Sequence, residues 1–533
     1  MGDSGWSFKR RGGPARRPFW GQEMNTMSFD MRGLSPKMTP GSLSCRAREA
    51  SVQRLTHSSR INPGVSSMLK LGASRLAPYV MAMLMLATAP HAASAEPRAT
   101  EFKLSNGMDV VVIPDHRAPV VTHMVWYKVG AADEPHGTSG IAHFLEHLMF
   151  KSTDKIAVGE FSKIISRLGG QDNAFTGQDV TAYHQRISKD QLKTLMEMEA
   201  DRMTHLRLTN DEVATERQVI IEERRSRIDN NPTARLDEQM NAALYLSHPY
   251  GVPVIGWAHE MAKLSREDAL RFYKRYYAPN NAILVVAGDV TPEEVKRLAE
   301  ETYGKLPANP EVETRSRPQE PPHIAARRIT LKDPRAGNAS FHRYYIAPSY
   351  VTAKPGDAEA LDLLMKILAD GSTSRLYRKL VVDDKVAATT GGDYSGANLD
   401  TGAISLYAVA SSGDLKAVED DVDRVLNEVR KNGVTELELQ RAKKALTASY
   451  IYSSDNQASL ARRYGWSVAI GRSIDQVEDW PAAIAKVTPE DVKRVANEYL
   501  DAHSSVTGWL LPEADDSNGA GEQVSQPVVH TRS

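Results

Sequence analysis

Two histidines and a glutamate lie close together in the stretch from Gly140 to Phe150. His143 and His147 are four residues apart, so on an α-helix both imidazoles lie on one face and can bind the same metal ion. Glu146 lies beside them, where a carboxylate can take a proton from a water molecule that attacks a substrate. The stretch predicts a catalytic zinc site on a helix. The plainer alternative is a structural helix whose histidines bond to their neighbours.

A tetrahedral catalytic zinc takes three protein ligands and keeps one open position, so a third ligand must come from another part of the chain. The stretch from Asn210 to Arg224 alternates apolar residues and carboxylates at helical spacing. Glu216 and Glu223 are seven residues apart and share a face, whereas Glu222 lies about 100° round the helix from Glu223. Glu223 is therefore the predicted third ligand, and a charged, solvated helix face is the alternative interpretation.

The order His-x-x-Glu-His is followed by Glu-Arg-x-Val-x-x-x-Glu, whose last glutamate comes 76 residues after the second histidine. Together these motifs resemble the pitrilysin and mitochondrial processing peptidase family. The resemblance covers the chain from about Thr100 to Leu511, and it implies a zinc metallopeptidase with one Zn²⁺ per chain. It also implies site roles: the zinc ligands are His143, His147 and Glu223, the general base is Glu146, and a second acidic residue near the metal is Glu216.

The segment from Gly169 to Thr176 has the composition of a turn that leads into the alternating strand from Val180 to His184. The resemblance implies a different role, because in the family an Asn-Ala-x-Thr strand forms a sheet edge to which the substrate adds as a further strand. Such pairing uses main-chain hydrogen bonds and depends little on side chains. The candidate substrate-binding residues are therefore Asn173, Ala174 and Phe175, although composition alone favours a turn at Asn173.

Short apolar and β-branched runs on both sides of the zinc stretch predict the strands that hold it. These runs are at 108–113, 120–127 and 283–288, with helical patterns between the second and the third. With the resemblance, the expected fold class is α+β. It has two homologous domains, each an antiparallel-rich sheet packed with helices, and together they form a clam-like enclosure.

An internal duplication is visible in the sequence. Residues 264–276 match residues 487–499 at a constant shift of 223 positions, including the predicted helix caps Ser265 and Thr488. The helical pattern at 357–369 corresponds to the zinc helix but has no histidine, so only one half is expected to do metal chemistry. The predicted domains are a catalytic zinc-binding domain at 96–307, a Pro-rich linker at 308–326, a homologous domain without a zinc site at 327–514, and a disordered tail at 515–533.

Residues 1–67 are basic, rich in Gly, Ser, Arg and Pro, and without periodicity, which predicts a disordered extension. Residues 68–95 have a basic start, an apolar run of roughly 14 residues and a small-residue cleavage site before Glu96, as in a secretory signal peptide. The expected translation start is therefore Met68, and an Arg-rich transit peptide is the alternative. The run is too short for a stable membrane anchor, which takes about 20 residues, so we expect an exported, periplasmic protein.

The composition of the chain from residue 96 onward argues against one class of partner, the nucleic acids. From residue 96 onward the chain has 63 Asp and Glu against 53 Lys and Arg, and this acidic balance argues against nucleic acid as a partner. The only cysteine in the sequence, Cys45, lies upstream of the predicted cleavage site. The mature chain is therefore expected to form no disulfide, which is compatible with export but does not require it.

One expected feature of the family is missing from the second half. Active single-chain members carry an Arg and a Tyr seven residues apart there, which bind the substrate carbonyl. Aligned through the segment 374–376, these positions fall on Val381 and Ala388, and neither side chain can donate a hydrogen bond. The resemblance thus implies a heterodimer with a homologous chain that supplies the Arg and the Tyr, or a homodimer. The alternative is a shifted alignment in which Arg378 and Tyr394 act within one chain.

The function expected from these features is that of a zinc-dependent endopeptidase for peptides or unfolded polypeptide segments, with Glu146 activating the attacking water. Two alternatives stay open. One is a non-catalytic scaffold subunit of a peptidase-like complex, which a zinc measurement would distinguish from an enzyme. The other is a presequence-processing peptidase, which would depend on a basic residue near the cleavage site.

Overall fold

A computed structural model describes residues 99–513, all of which belong to one compact unit. The predicted extension at 1–67, the predicted signal peptide at 68–95 and the predicted tail at 515–533 lie outside the described residues. Within residues 99–513, no helix is long enough and apolar enough to cross a membrane. The domain boundaries around the linker stay a prediction, although the strands on either side of it form separate sheets.

The first half of the described chain contains eight strands and eight α-helices. The strands are β1 (Thr100–Lys103), β2 (Asp109–Pro114), β3 (Val120–Tyr127), β4 (Ser152–Thr153), β5 (Gln171–Thr176), β6 (Thr181–Ser188), β7 (Leu206–Arg207) and β8 (Ala282–Gly288). The helices are α1 (Ile141–Leu148), α2 (Glu160–Arg167), α3 (Leu192–Thr204), α4 (Asn210–Arg224), α5 (Pro232–Leu244), α6 (Ala258–Met261), α7 (Arg266–Tyr276) and α8 (Pro292–Glu301). A π-helical turn, Arg225–Asp229, continues α4.

The second half contains five described strands and seven described α-helices. The strands are β9 (Arg327–Asp333), β10 (Ser340–Ala347), β11 (Ala387–Ser395), β12 (Gly402–Ala410) and β13 (Ser505–Pro512). The helices are α9 (Asp357–Leu368), α10 (Leu415–Asn432), α11 (Glu436–Ser454), α12 (Gln457–Ala469), α13 (Ile474–Glu478), α14 (Trp480–Lys486) and α15 (Pro489–Tyr499). A second π-helical segment, Tyr377–Asp383, precedes β11.

The two large sheets have similar designs. The strand order is β1-β2-β8-β3-β6-β5 in the first sheet and β11-β12-β10-β13-β9 in the second. Neighbouring strands are antiparallel in both, except for one parallel pair in each, β2 with β8 and β13 with β9. Strands β5 and β11 lie at the corresponding edges. The predicted α+β fold with two antiparallel-rich sheets packed with helices is confirmed.

Strand β2 shows how the first sheet is buried on both faces. Its side chains alternate, so Val110 and Val112 contact the core that contains helix α1, whereas Val111 and Ile113 contact a separate cluster on the opposite face. The α1 face is covered by helices of the first half. The opposite face is covered by α12, which comes from the second half.

The halves exchange one helix each. Helix α12 packs Tyr464 against the first sheet, and a Cβ at Gly465 would lie only 2.2 Å from Trp126 Nε1. In return, α5 of the first half packs against the second sheet, where a Cβ at Gly508 would lie 2.2 Å from Met240 Sδ. Glycine at these two positions allows the closest approach of each helix to its sheet.

The predicted duplication is visible at the helix starts. Helices α7 and α15 both have 11 residues, and each begins with a capping box, formed by Ser265 with Asp268 and by Thr488 with Asp491. The shift between the two helices is the 223 positions expected from the sequence. A shared capping box fixes the same helix start in both halves, because it satisfies the same backbone N–H groups.

The linker between the halves has no helix or strand from residue 306 to residue 326, as its prolines predict, but it is not a free spacer. The side chain of Arg317 is 4% exposed, and it donates hydrogen bonds to Asp133 at 2.5 Å and to Asp179 at 3.0 Å. Arg315 donates to the backbone oxygens of Asp179 and Ala469, one from each half. The linker is therefore fixed against both halves by the hydrogen bonds of these two arginines.

Candidate metal centre

Helix α1 presents the predicted site. It begins after Gly140, which adopts a left-handed conformation with φ of 86°. The side chain of Glu134 accepts hydrogen bonds from the backbone N–H groups of Gly140 and Ala142, both at 2.9 Å. A carboxylate at a helix N-terminus satisfies these free N–H groups and interacts favourably with the helix dipole. Because Phe144 and Leu148 are buried in the core, the orientation of the helix is fixed.

Helix α4 brings the remote carboxylates. It begins with a capping box between Thr209 and Glu212, and Val213 and Ile220 bury its inner face. The last turn of the helix carries Glu223, directly before the π-helical turn. Such turns frequently occur at functional sites because they change the direction of side chains within a helix.

The loop that contains Gly256 contacts both helices of the site. Gly256 has a φ of 87° and lies against the start of α1, where a Cβ would be 2.5 Å from the oxygen of Ser139 and 2.7 Å from Cα of Gly140. The backbone oxygen of Gly256 also accepts a hydrogen bond of 2.8 Å from Arg224, the residue after Glu223. The loop thereby sets the distance between the start of α1 and the end of α4.

The three predicted ligands converge. Oε2 of Glu223 lies 3.3 Å from Nε2 of His147 and 3.8 Å from Nε2 of His143. The ligand atoms of the three residues all lie within 4.8 Å of one another, and within residues 99–513 this is the one such group of metal-ligating side chains. Two imidazole nitrogens and one carboxylate oxygen form the donor set of a catalytic zinc site with an open position. The residues present therefore fit a zinc ion.

Glu216 orients one of the histidines. Its Oε1 lies 2.9 Å from Nδ1 of His147, and its Oε2 lies 2.5 Å from Nζ of Lys151. A carboxylate bonded to one ring nitrogen places the proton there and leaves the other nitrogen free for a metal. Lys151 in turn holds Glu216 in place.

Arg227 holds the carboxylate ligand in a comparable way. Its guanidinium lies 2.8 Å from Oε1 of Glu223, so the other oxygen, Oε2, is the one that faces the histidines. This arrangement favours binding of a metal through a single carboxylate oxygen. Glu222, the weaker candidate from the sequence, is exposed and forms an ion pair with Arg225 instead.

The electrostatics of the site prepare two of the three ligands for metal binding. Burial, with the neighbouring His147, lowers the pKa of His143 to about 3, so His143 is neutral. Burial opposes ionisation of Glu223, but the hydrogen bond from His147 and nearby positive charges lower its pKa to about 2. Burial also acts against a charged His147, yet its bonds to Glu216 and Glu223 raise its pKa to about 9. A metal ion must displace a proton from His147.

Glu146, the predicted general base, is buried next to the ligands. Its Oε2 accepts a hydrogen bond of 2.6 Å from the hydroxyl of Thr176. Burial raises the pKa of Glu146 to about 7, although the charge of His147 and the bond from Thr176 act to lower it. A carboxylate in this position can accept a proton from an attacking water and return it to a leaving group.

The three predicted substrate-binding residues lie on β5, an edge strand. The turn favoured by composition at Asn173 is wrong, and the edge strand implied by the resemblance is present. Asn173 is exposed, Ala174 points to the α1 face, and Phe175 points to the opposite face, where its ring stacks on Trp466. Polar residues such as Asn have low strand propensity, so pairing with β6 rather than composition determines this strand.

The positions aligned with the missing Arg and Tyr lie in the second half. Val381 belongs to the π-helical segment and is partly buried in the second core, and Ala388 is exposed on edge strand β11. Of the alternative pair, Arg378 is exposed, whereas Tyr394 is buried and its hydroxyl donates to the oxygen of Pro348 at 2.6 Å. The hydroxyl of Tyr394 is thus committed to the second core.

Three residues that support the site were not identified from the sequence, namely Lys151, Arg227 and Thr176. A signal was present for each of them. Lys151 and Arg227 both follow a site residue by four positions, the spacing of neighbours on one helix face. Thr176 follows Ala174 by two positions, which places both on one face of a strand.

Comparison with known proteins agrees with this geometry. Residues 109–257 match the family model described as insulinase (peptidase family M16), and residues 263–446 match the peptidase M16 inactive domain. The inactive-domain match includes α9, and this agrees with the lack of histidines in that helix.

Similar proteins come from distant organisms. The chain is 32% identical over 438 residues to the zinc protease PqqE of Helicobacter pylori, covering 81% of this chain and 96% of that protein. It is 27% identical over 419 residues to the probable mitochondrial-processing peptidase subunit beta of Schizosaccharomyces pombe, covering 77% of this chain and 90% of that protein. The crystal structure of a protease from Helicobacter pylori has a TM-score of 0.74 and 31% identity, covering 78% of this chain and 100% of that one.

Relatives that are named zinc proteases support a peptidase function for this chain. The family models, the coverage of the relatives and the fold all agree with the resemblance found in the sequence. The chain belongs to peptidase family M16, the family of pitrilysin and the mitochondrial processing peptidases.

Proposed function

We propose that this chain is a zinc-dependent endopeptidase that cleaves peptides or unfolded polypeptide segments. The observation that carries the proposal is the convergence of His143, His147 and Glu223, with the buried carboxylate of Glu146 beside them. A non-catalytic scaffold has no need of this complete set, nor of the two cations that hold Glu216 and Glu223 in place.

In the proposed reaction, each side chain has a separate task. His143, His147 and Glu223 would hold the zinc ion, and Glu216 keeps His147 in the tautomer that can bind it. When bound, zinc supplies a Lewis acid that polarises the substrate carbonyl and lowers the pKa of a coordinated water molecule. Glu146 takes the proton of the attacking water and returns it to the leaving amine.

The substrate is proposed to bind as an additional strand on β5, through Asn173, Ala174 and Phe175. Strand β5 is an edge of its sheet, and within residues 99–513 no other strand pairs with its outer side. Main-chain pairing recognises an extended segment with little regard to its sequence. This agrees with unfolded polypeptides as the substrate class, since an unfolded segment has both sides of its backbone unpaired.

We further propose that full activity needs a second chain. Val381 and Ala388 stand where the family pattern has an Arg and a Tyr, and the hydroxyl of Tyr394 is committed to Pro348. A homologous partner that supplies an Arg and a Tyr would complete the set of side chains that bind the substrate carbonyl. A homodimer is the second possible arrangement. Loss of one oxyanion donor typically costs about 10²–10³ in rate, so the single chain is expected to be a weak peptidase.

A presequence-processing activity is the second candidate, favoured by the relative named as a probable mitochondrial-processing peptidase subunit. It is distinguished by cleavage that requires a basic residue near the scissile bond. Export to the periplasm is also proposed, on the basis of the signal-like segment at 68–95. N-terminal sequencing of the native protein should find Glu96 as the first residue, and a mature start well before Met68 would contradict export by this route.

The experiment that tests the main proposal combines zinc analysis with peptide hydrolysis. Glu146→Gln should keep zinc and lose hydrolysis by several orders of magnitude, because the ligands are intact and the base is gone. Glu223→Gln should lose both. Glu222→Gln is the matched control, since it makes the same change one position earlier on the exposed face and should keep both. Full hydrolysis in Glu146→Gln would overturn the proposal.

A further inference from the structure

The side chain of Thr176 connects the substrate strand to the general base. Thr176 is the last residue of β5, and it is 3% exposed. Its hydroxyl donates to Oε2 of Glu146 at 2.6 Å, and this is the one hydrogen bond that the described residues give to the Glu146 side chain. A buried carboxylate with a single protein partner depends on that partner for its side-chain orientation.

The position of the Thr176 hydroxyl is set by the sheet. Thr176 pairs with Thr181 of β6, and the next residue, Gly177, continues the ladder through a 2.8 Å bond from its N–H to the oxygen of Val180. Alternation along β5 places Thr176 on the same face as Ala174, toward α1. Strand pairing holds the backbone of Thr176 in place, and its β-branched side chain has few χ1 rotamers, so the hydroxyl is a well-fixed reference point.

We propose that Thr176 is a positioning residue that fixes the Glu146 carboxylate relative to the strand on which the substrate lies. This inference rests on the proposed endopeptidase function. A peptide added to β5 takes its position from the backbone of β5, and Glu146 takes its position from a side chain of the same strand. The scissile carbonyl and the base are thereby aligned to one rigid element, and misplacement of about 1 Å is enough to cost 100-fold in rate.

A purely structural role for Thr176 makes a different prediction. If its hydroxyl served only to satisfy a buried polar group, its loss would lower folding stability and zinc content. Loss of positioning instead lowers kcat while KM and zinc content stay the same, because neither substrate pairing nor the ligands change. These two outcomes separate the roles.

The test compares Thr176→Val, Thr176→Ser and Thr181→Val in the full-length, zinc-loaded protein. Valine has the shape of threonine without the hydroxyl, and serine restores the hydroxyl. Thr181→Val is the matched control, because Thr181 lies directly across the ladder, is equally buried and donates to the oxygen of Val129 rather than to Glu146. Each variant is assayed for zinc content, thermal unfolding, and kcat and KM on an unstructured peptide.

We expect kcat of Thr176→Val to fall about 10- to 100-fold, the range for loss of one charge-assisted hydrogen bond, with KM within about twofold of wild type. Thr176→Ser should recover most of the rate, and Thr181→Val should keep it. Equal losses in Thr176→Val and Thr181→Val, or failure of serine to restore the rate, would overturn the positioning role.

Crystal structures of the same zinc-loaded proteins provide a readout without turnover. The Glu146 carboxylate should leave its wild-type position in Thr176→Val and keep it in Thr176→Ser and Thr181→Val. An unmoved carboxylate in Thr176→Val refutes the inference even if kcat falls. If wild type binds zinc but hydrolyses no peptide even with a homologous partner chain present, the proposed function fails, while the carboxylate position still decides whether Thr176 fixes Glu146.

Discussion

Replacing Gly256 by alanine should lower the stability of the fold and weaken zinc binding, although Gly256 is not a metal ligand. Gly256 has a φ of 87°, and a Cβ there would lie 2.5 Å from the backbone oxygen of Ser139 and 2.7 Å from Cα of Gly140. These atoms belong to the backbone at the start of α1, so no side-chain rotation can relieve the contact. The start of α1 must move away from the loop, while Arg224 still ties the end of α4 to it.

Two contributions set the size of the effect. A left-handed conformation costs a residue with a Cβ about 1–2 kcal/mol. Overpacking against a rigid neighbour adds about 1–3 kcal/mol. The free energy of unfolding should therefore fall by about 2–5 kcal/mol in Gly256→Ala. Gly137→Ala isolates the first contribution, because Gly137 has a φ of 84° and, among the described residues other than its two chain neighbours, no heavy atom lies within 4 Å of the point that its Cβ would occupy.

The assay is chemical unfolding of both variants and wild type, with and without zinc. A ligand that binds only the folded state adds stability according to its affinity, so the zinc-dependent increment reports zinc binding. We expect a wild-type increment in Gly137→Ala and a smaller one in Gly256→Ala, because displacement of α1 moves the histidines relative to Glu223. The same loss of stability and the same zinc increment in both variants would refute the role of this loop.

Three further predictions concern separate parts of the fold. Glu216→Gln should weaken zinc binding about 10- to 100-fold in a chelator competition, because a charged partner of the ligating histidine is lost; unchanged affinity would contradict the orienting role. Gly465→Ala should lower the free energy of unfolding by about 1–3 kcal/mol through contact with the Trp126 indole, and should cost less in a Trp126→Phe background. Equal costs in both backgrounds would exclude that contact as the cause. Burial raises the pKa of Asp362 from 3.8 to about 7, although the hydrogen bond from Tyr350 acts to lower it. The folded chain therefore binds this proton more tightly than the unfolded chain does, and it loses stability as the pH rises from about 4 to 7. Asp362→Asn should flatten this part of the pH–stability curve by up to about 4 kcal/mol, and an unchanged slope would show that another group is responsible.

The local features of the site could be predicted from the sequence because they depend on short-range spacing. The strand expected at 120–127 is present as Val120–Tyr127, and the four-residue spacing of the histidines places both on one face of α1. The seven-residue spacing likewise predicted that Glu216 and Glu223 share a helix face and that Glu222 does not, and Glu222 is exposed. Helix periodicity and strand alternation follow directly from the order of apolar and polar residues in the sequence.

The long-range features could not be predicted in this way. Nothing in the composition of Gln457–Ala469 indicates that this helix packs on the sheet of the other half, because a helix pattern defines a buried face and not its partner. The contact between Gly256 and Gly140 joins residues 116 positions apart, and only the folded backbone brings them together. The contacts of Arg317 could not be predicted either, because a charged residue in a linker is more often exposed than buried.

The helix exchange constrains how such a protein could have arisen. A single half of this design would expose the apolar sheet face around Trp126, because the helix that covers it would be absent. Two identical halves could cover each other by exchanging the helix, which gives a two-fold symmetric, domain-swapped dimer with a metal centre in each copy. Fusion of the two genes would then make the exchange intramolecular and leave one copy free to lose its histidines. Accordingly, the halves expressed together as separate chains should assemble, and the first half alone should aggregate.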